Sequence, residues 1–196
     1  MNVIGLTGGS GSGKTTVLNL LRDRGAAAID CDRLYDSLLQ TSEALRADLV
    51  KTFGQVFLPD GSLDRKTLSE TVFSDPKQLL KLNAIVYYHV GIAVREELAA
   101  AKKSGKKLAV IDAVNLIESG LGELCDTTVA VLAPLDTRIA RIMARDGIDR
   151  AQAEKRIAAQ QTDETFTARA KQTLINDGSE QTLCENALSL LAEYLN

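Results

Sequence analysis

Hydrophobic positions along the chain follow two alternating patterns. Runs in which nearly every residue is apolar are typical of parallel strands covered on both faces, and they predict strands at residues 3–6, 26–30, 108–112, 127–132 and 173–176. Between these runs, apolar residues recur at helical spacing, as in Leu34/Leu38, Leu45/Leu49/Phe53, Leu79/Leu82/Val86, Ile139/Ile142/Met143 and Leu183/Leu190/Leu191. The alternation predicts an α/β fold, a three-layer sandwich with a central parallel sheet.

Two stretches interrupt this alternation. Residues 42–105 contain no good strand and include the turn sequence Pro-Asp-Gly, so they are interpreted as a helical insertion between the second and third strands. Residues 149–170 form a second helical piece, rich in Gln, Arg and Asp, which we expect to be mobile. Residues 1–41 and 106–196 remain as a single predicted core.

Length and charge limit the possible functions. The 196 residues suffice for one hydrophobic core with a small insertion. A formal net charge of -3 argues against a general nucleic-acid binder, which normally presents a basic face. The basic residues within 102–107 end a long predicted helix, where cations favour the helix dipole, so we interpret them as a solvated helix end.

The cysteines and the hydropathy pattern indicate a compartment. Cys31, Cys125 and Cys184 are widely separated and form no C-x-x-C pair, which fits a reducing environment and neither a disulfide framework nor a zinc site. No apolar stretch approaches the ~18 residues that span a bilayer, and no room for a signal peptide precedes the first strand. The sequence therefore predicts a cytoplasmic protein with neither a membrane nor a nucleic-acid partner.

Residues 8–15 read GGSGSGKT and match the phosphate-loop pattern G-x-x-x-x-G-K-[ST] in full. An apolar run before them predicts a strand, and Val17, Leu20 and Leu21 after them predict a helix that Gly25 ends. Strand, glycine-rich loop and helix form the context in which backbone N–H groups cradle phosphate oxygens.

Nucleotide contacts are expected from Gly11, Ser12, Gly13, Lys14, Thr15 and Thr16. Lys14, taken as an exposed loop lysine, is expected to reach the β- and γ-phosphates, and the Thr15 hydroxyl to ligate Mg²⁺. A glycine-rich turn that binds no nucleotide is the alternative, but every fixed position of the pattern is filled. The sequence therefore predicts a site for a nucleoside triphosphate with Mg²⁺.

Two carboxylates end the second predicted strand. Asp30 and Asp32 are two residues apart, so in a strand both side chains point to one face while Cys31 points to the other. At the carboxyl edge of the sheet, such a carboxylate can accept a proton from an attacking hydroxyl or help to hold Mg²⁺. The alternative is that Asp32 caps the following helix and Asp30 is a simple strand-end acid.

The third predicted strand ends at Asp112 after four apolar residues, as in a Walker B strand, and this carboxylate is a second candidate ligand for Mg²⁺. The residues that follow lack D-x-x-G, and the chain lacks N-K-x-D, so a GTPase is not supported. The lone histidine, His89, is expected to be structural.

Arg138, Arg141 and Arg145 recur at i, i+3 and i+7 and share one helix face. Such a stripe can clamp triphosphate oxygens when a neighbouring segment closes. We assign Arg138 to nucleotide binding and Arg145 to catalysis. The alternative, a solvated face paired with nearby aspartates, stays open above all for Arg141.

These residues resemble one family, dephospho-coenzyme A kinase, along nearly the whole chain. The most specific strings are LPDGSLDR at residues 58–65 and VFSDP at residues 72–76. Further similar strings occupy residues 4–9, 11–14, 29–32, 116–121, 143–147, 156–160 and 176–179. Departures from the family pattern are Val114 and Asn115 in the segment after Asp112, Val90 after His89, and Lys171 after Ala170. The first two sites can alter the acceptor pocket, and Lys171 can alter the lid hinge.

The resemblance implies a P-loop NTPase fold that transfers the γ-phosphate of ATP, with Mg²⁺, to the ribose 3′-hydroxyl of dephospho-CoA. This is the last step of CoA biosynthesis. No obligate protein partner is evident from the sequence. The resemblance makes Asp32 the catalytic acid and places Asn176 near the adenine of ATP. Lys14 and Arg145 are the other two catalytic candidates, from the phosphate loop and the arginine stripe. Residues 64–105 would form the helices of the CoA-binding domain, and residues 149–170 a lid.

Two other functions stay open. One is a kinase of another small acceptor, such as a nucleoside or nucleoside monophosphate, with the same fold and a different pocket. The other is a regulatory protein that hydrolyses ATP without a small acceptor. The specific mid-chain strings argue against both, and the paired carboxylates of Asp30 and Asp32 favour a hydroxyl acceptor over water.

Overall fold

The computed structural model describes residues 1–195, without the side chain of Phe73. Its strands are β1 (Asn2–Thr7), β2 (Ala27–Asp30), β3 (Leu108–Asp112), β4 (Thr127–Leu132) and β5 (Gln172–Ile175). Within the described residues they form one five-stranded sheet in the order β2-β3-β1-β4-β5, with β1 parallel to β3 and β4, and β4 parallel to β5. The predicted α/β fold with a central parallel sheet is confirmed.

Helices occupy the connections between and after the strands. They are α1 (Lys14–Asp23), α2 (Cys31–Thr41), α3 (Glu43–Phe53), α4 (Arg65–Ser74), α5 (Pro76–Lys103), α6 (Leu135–Asp146), α7 (Arg150–Ala158), α8 (Asp163–Arg169) and α9 (Glu180–Leu190). Short 3₁₀ helices lie at Leu121–Leu124 and Ala192–Tyr194. Across residues 1–195, no helix combines the length and apolar character that crossing a membrane requires.

The chain divides into two compact units. Residues 1–29 and 98–196 form the first, which contains the sheet, and residues 30–97 form the second, which contains α2, α3 and α4. The assignment of residues 42–105 to acceptor binding and of residues 149–170 to a lid stays a prediction. Asn196, the last residue of the predicted core, lies outside the described residues.

Both faces of the sheet are covered, as the apolar runs predict. Ile4 and Leu6 of β1 are completely buried and pack in one core with α1 and α9. Ala130 and Leu132 of β4 are buried together with Phe166 of α8 in a second cluster. Alternate residues of a strand point to opposite faces, so β4 contributes to helix packing on both sides.

The second unit has a hydrophobic core of its own. Its buried members come from α2, α3, α4 and the connection between α3 and α4, namely Leu39, Leu45, Leu49, Val56, Phe57, Leu68 and Val72. Side-chain caps fix where its helices begin, because Ser42 accepts the backbone N–H of Leu45 at the start of α3, and Asp64 accepts that of Thr67 at the start of α4. The predicted helical character of this region is therefore present.

Candidate active site

The phosphate loop, residues 8–15, connects β1 to α1. Gly8, Gly11 and Gly13 adopt left-handed backbone angles, with φ of 129°, 77° and 108°. A Cβ atom would also lie 2.2 Å from the carbonyl oxygen of Val131 at Gly8, and 2.3 Å from the Asn176 side-chain nitrogen at Gly13. Any larger residue would therefore strain the loop and force its neighbours apart.

Lys14 is folded into the loop and is only 9% exposed. Its Nζ donates to the carbonyl oxygens of Gly8 at 2.9 Å and Gly9 at 3.4 Å. The expectation of an exposed loop lysine is wrong, because the curled backbone surrounds the ammonium group. The charge predicted to meet phosphates is thus held at a fixed place within the loop.

Ser12 supplies an unusual hydroxyl to the same loop. The residue is 1% exposed, and its Oγ has no hydrogen-bond partner within the described part of the chain. A buried hydroxyl without a partner is costly in a folded protein, so such a group calls for an explanation. A phosphate oxygen bound in the loop would give this hydroxyl an acceptor, which none of the described residues provides.

Three side chains hold successive carbonyl groups of the loop. Arg138 Nε donates to Ser10 O at 3.0 Å, and Arg141 donates to Gly11 O at 3.1 Å. Asn176 Nδ2 donates to Ser12 O at 2.8 Å. Across a trans peptide, a C=O group and the N–H group of the next residue point in opposite directions. The N–H groups of Gly11 and Gly13 therefore point away from the three side chains.

Residues 149–170 contact the loop directly through Gln160 and indirectly through Asp163, which pairs with Arg138. Gln160 Oε1 accepts the backbone N–H of Ser10 at 2.8 Å, and its Nε2 donates to Ser10 Oγ at 2.8 Å. Asp163 pairs with Arg138 at 3.0 Å, and Arg138 is 4% exposed. Sequence reasoning did not single out these two side chains as site residues, although Gln160 ends one of the strings that carry the family resemblance.

Arg145 has a different environment from the other arginines of α6. Its guanidinium donates twice to Asp146, at 2.7 and 2.9 Å, and its side chain is 59% exposed. Asp146 also pairs with Arg156. Hydrogen bonds from Arg145 above all lower the pKa of Asp146 to about 2, so this carboxylate is charged at neutral pH. Arg141, left open by the sequence, contacts the loop as Arg138 does. The catalytic role of Arg145 stays a prediction.

The carboxylates after β2 are arranged differently from the prediction. The strand ends at Asp30 and α2 begins at Cys31, so Asp30 and Asp32 do not share one face of a strand. Asp30 is the helix cap and accepts the backbone N–H groups of Asp32 and Arg33, each at 3.1 Å. The alternative, in which Asp32 is the cap, is wrong as well, because Asp30 occupies the cap position and Asp32 lies inside α2.

Asp32 therefore lies in the first turn of α2, where a carboxylate is favoured by the helix dipole, and it is exposed. It belongs to the unit of residues 30–97, whereas Lys14, Arg138 and Asn176 belong to the unit that contains the sheet. The structure thus assembles the phosphate-loop residues into one site and places Asp32 on a separate helix start.

The candidate metal ligands are both oxygen donors. Asp112 is the last residue of β3, is 8% exposed and pairs in register with Leu6, which leads into the loop. Thr15 is exposed in the first turn of α1. Among residues 1–195, no group of three or more His, Cys, Asp or Glu side chains could hold a metal ion. Mg²⁺ commonly binds through one or two protein oxygens together with substrate phosphates and water, and a hydroxyl with a carboxylate fits that mode.

A parallel sheet whose first strand leads through a phosphate loop into a helix defines a P-loop NTPase fold. The family description Dephospho-CoA kinase matches residues 2–182. A dephospho-CoA kinase from Anaeromyxobacter dehalogenans is 42% identical over 194 residues, which are 98% of this chain and 92% of that protein. The chain belongs to the dephospho-CoA kinase family, as its sequence strings suggest, and it is an ATP-dependent kinase.

Two solved structures are similar over almost their full length. A crystal structure from Thermus thermophilus shares 34% identity with a TM-score of 0.84, covering 100% of this chain and 98% of that chain. A dephospho-CoA kinase from Campylobacter jejuni shares 21% identity with a TM-score of 0.67, covering 98% and 96%. The Campylobacter jejuni structure supports the fold alone. The Thermus thermophilus structure is similar in both fold and sequence.

Proposed function

We propose that the chain transfers the γ-phosphate of ATP to the ribose 3′-hydroxyl of dephospho-CoA, giving CoA and ADP. The observation that carries this proposal is the phosphate loop, whose carbonyls are held by Arg138, Arg141 and Asn176, in a chain of this family. Because these contacts are made by the protein's own side chains, they preorganise the loop backbone for phosphate groups.

The loop would bind the β- and γ-phosphates of ATP. Backbone N–H groups and the positive end of α1 favour anionic oxygens, and the Ser12 hydroxyl is a further donor. The ammonium group of Lys14 would stabilise the negative charge that moves toward the leaving ADP in a loose transition state. Asn176, which is 3% exposed beside Ser12, stays our candidate for the adenine side of the nucleotide.

A magnesium ion would be held by the Thr15 hydroxyl and the Asp112 carboxylate, with phosphate oxygens completing its coordination. When bound, it would neutralise charge on the β- and γ-phosphates. Arg145 would add a further positive charge to the transferred group on leaving Asp146. Residues 149–170 would exclude water from the reacting groups, which disfavours hydrolysis of ATP.

Asp32 would accept the proton of the 3′-hydroxyl. In a loose transition state the base mainly orients the attacking oxygen, so an ordinary carboxylate is sufficient. The Asp30 cap fixes the backbone of Asp32 and Arg33, and thereby the position from which the Asp32 side chain starts. The role of Asp30 in this proposal is to position Asp32.

The test compares Asp32→Asn with the wild type, using ATP and dephospho-CoA. Asparagine can still contact the hydroxyl but cannot take its proton, so turnover should fall by ~10²–10⁴-fold while ATP binding is kept. Glu43→Gln is the matched control, because Glu43 is also an exposed acid in the first turn of a helix of the same unit. It should leave turnover unchanged.

Product analysis decides the acceptor. The wild type should yield a 3′-phosphorylated product, located on the ribose by mass spectrometry and NMR. A near-normal rate in Asp32→Asn would move the base to Asp30 or Asp112. Absence of any 3′-phosphorylated product from the wild type would contradict the proposed function itself.

A further inference from the structure

A second pocket, here called the basal pocket, lies in the sheet-containing unit at the edge of the sheet opposite the phosphate loop. Its volume is about 290 Å³, and its lining includes Arg24, Gly25, Lys106, Lys107, Leu108 and Leu195. Leu108 begins β3, whereas the candidate metal ligand Asp112 ends that strand. Helix α1 likewise runs ~15 Å from Lys14 of the phosphate loop to its last residue beside Arg24. A ligand in the basal pocket would therefore not touch the phosphate loop.

Two connections between a helix and a strand form the walls of the basal pocket. Arg24 and Gly25 lead out of α1, and residues 105–107 lead out of α5 into β3. Lys106 joins the two walls, because its Nζ donates to the carbonyl oxygen of Gly25 at 2.8 Å. The pocket is thus a built feature of the fold, with its width set by one side chain.

Backbone groups close the ends of both helices at this pocket. At the end of α1, the N–H groups of Gly25 and Ala26 donate to carbonyl oxygens of the last turn at 2.8 and 3.1 Å. At the end of α5, the N–H groups of Gly105 and Lys106 do the same at 3.1 and 3.0 Å. Each pair of bonds forms a Schellman motif, in which the glycine takes a positive φ, 90° at Gly25 and 79° at Gly105. The final carbonyls therefore do not need the basic side chains as partners.

This arrangement changes the interpretation of the basic residues at 102–107. Lys102 and Lys103 lie in the last turn of α5, where the helix dipole favours them, as the sequence predicts. Lys106 and Lys107 lie beyond the end of the helix, and both line the basal pocket. A solvated helix end accounts for the first two lysines and leaves the second two without an explanation.

The basal pocket carries an excess of positive charge. Among the described residues that line it, Arg24, Lys106 and Lys107 are cations and none is an Asp or Glu. Within residues 1–195, none of these three cations makes an ion pair. Arg24 makes one long hydrogen bond, 3.5 Å to the Leu20 carbonyl oxygen, and Lys106 uses one of its three donors on Gly25. A concave group of such cations attracts anions, although the chain as a whole has a net charge of -3.

The inner surface of the basal pocket is apolar. Leu108 is 8% exposed and belongs to the same hydrophobic core as Leu21 and Ala26, and the half-buried Leu195 packs against that core. An inorganic ion would use only the cations, whereas an organic phosphate would also cover this apolar surface. Arg24 can bind two phosphate oxygens at once through its planar guanidinium, and Lys107 can act as a point charge beside it.

We propose that the basal pocket is a second binding site, for a small organic molecule that carries a diphosphate or triphosphate group. Arg24 and Lys107 bind the phosphate oxygens, Lys106 holds the two walls together, and the organic part lies on Leu108 and Leu195. Such a ligand neutralises the charge of the pocket and stabilises the folded chain by mass action. The site does not depend on the proposed function, because it shares no residue with the phosphate loop.

The experiment follows backbone amide signals by NMR while ADP or inorganic pyrophosphate is added at constant ionic strength. Gly25 and Gly105 report on the basal pocket, and Gly11 and Gly13 report on the phosphate loop. Both ligands should shift the signals of Gly25 and Gly105 along a saturable curve. ADP should bind there about threefold or more tightly than pyrophosphate, because only ADP has an organic part to cover the leucines.

Three variants separate the contributions to binding. Arg24→Gln combined with Lys107→Gln should raise the Kd at the basal pocket about tenfold or more for both ligands and leave the response of the phosphate loop unchanged. Leu195→Ser should remove the advantage of ADP and keep the affinity for pyrophosphate. Lys102→Gln combined with Lys103→Gln is the matched control, because it removes the same charge from α5 outside the lining. It should change the Kd by less than about twofold.

Arg24 and Lys107 are exposed, so their variants should fold, which circular dichroism checks. Absence of saturable shifts at Gly25 and Gly105 in the wild type overturns the site, as does a double variant at Arg24 and Lys107 that keeps them. Equal weakening by the control at Lys102 and Lys103 indicates diffuse charge attraction and overturns it as well. Equal affinity for ADP and pyrophosphate overturns the organic part of the ligand. Loss of the response at the phosphate loop alone counts against the proposed function and not against the basal pocket.

Discussion

Gln160 holds Ser10 at two points, through the backbone N–H and the side-chain hydroxyl, both at 2.8 Å. These bonds connect residues 149–170 directly to the phosphate loop. Arg138 extends the connection, since it donates to Ser10 O and pairs with Asp163. The backbone of the loop and the position of this segment are therefore coupled through one set of hydrogen bonds.

Replacing Gln160 should loosen both the phosphate loop and residues 149–170. Gln160→Ala removes both hydrogen bonds to Ser10, each worth about 1 kcal/mol, so kcat/KM for ATP should fall by about tenfold or more. Amide hydrogen exchange of residues 149–170 should become faster in the same variant. Gln161→Ala is the control, because Gln161 is its exposed neighbour and should behave as the wild type.

A structural role in folding alone would not produce this result. In that case Gln160→Ala would lower the melting temperature and leave kcat/KM for ATP intact in the folded fraction. An unchanged exchange pattern in residues 149–170 would likewise contradict the coupling between this segment and Ser10.

The ammonium group of Lys14 should be needed for transfer. Lys14→Met keeps the length of the side chain and removes its charge, so kcat should fall by ~10²–10³-fold, as for other losses of a group that stabilises transition-state charge. Lys106→Met is a matched control, because Lys106 also donates to a glycine carbonyl, that of Gly25 at 2.8 Å, outside the phosphate loop. Turnover close to that of the wild type in folded Lys14→Met would contradict the role of the loop.

The sequence alone was sufficient to predict those parts of the structure that depend only on residues close together in the chain. Apolar runs predict the five strands to within one residue of the observed bounds, because burial on both faces requires them. The phosphate loop is likewise a local pattern, since its glycines need left-handed backbone angles at fixed spacing. These features do not depend on distant residues.

Two kinds of feature could not be predicted: those decided by competition between a strand and a helix, and those that depend on contacts between residues distant in sequence. Whether the chain continues a strand or begins a helix after Ile29 is decided by the Asp30 side chain binding two backbone N–H groups. Ser10 and Gln160 are 150 positions apart, so no local pattern connects them. The periodicity of α6 places Arg138, Arg141 and Arg145 on one face, but Asp146 determines where the last of these points.

Cys125 should be protected from alkylation. Burial above all raises the pKa of its thiol from 9.0 to about 12, and Asp126 adds to the effect. At pH 8 the reactive thiolate is therefore scarce, and iodoacetamide should label the half-buried Cys184 first, as peptide mass spectrometry can show. The raised pKa also means that the buried Cys125 thiol contributes fully to the free energy of unfolding below pH 9. This contribution is lost as pH rises toward 12. Labelling of Cys125 as fast as Cys184 in the folded protein would contradict this burial.

Closure of residues 149–170 should be visible as protection from trypsin. This segment offers Arg150, Lys155 and Arg156 as exposed cleavage sites, and Lys102 and Lys103 at the end of α5 serve as internal controls. With ATP and dephospho-CoA both bound, cleavage within the segment should slow while cleavage at the two control lysines continues, because closure orders the segment around the reacting groups. Since Gln160 joins the segment to Ser10 by two hydrogen bonds, Gln160→Ala should be cut faster than the wild type in the absence of nucleotide. A cleavage pattern that ligands leave unchanged, in a protein shown to bind both, would mean that residues 149–170 are a fixed part of the fold and not a lid.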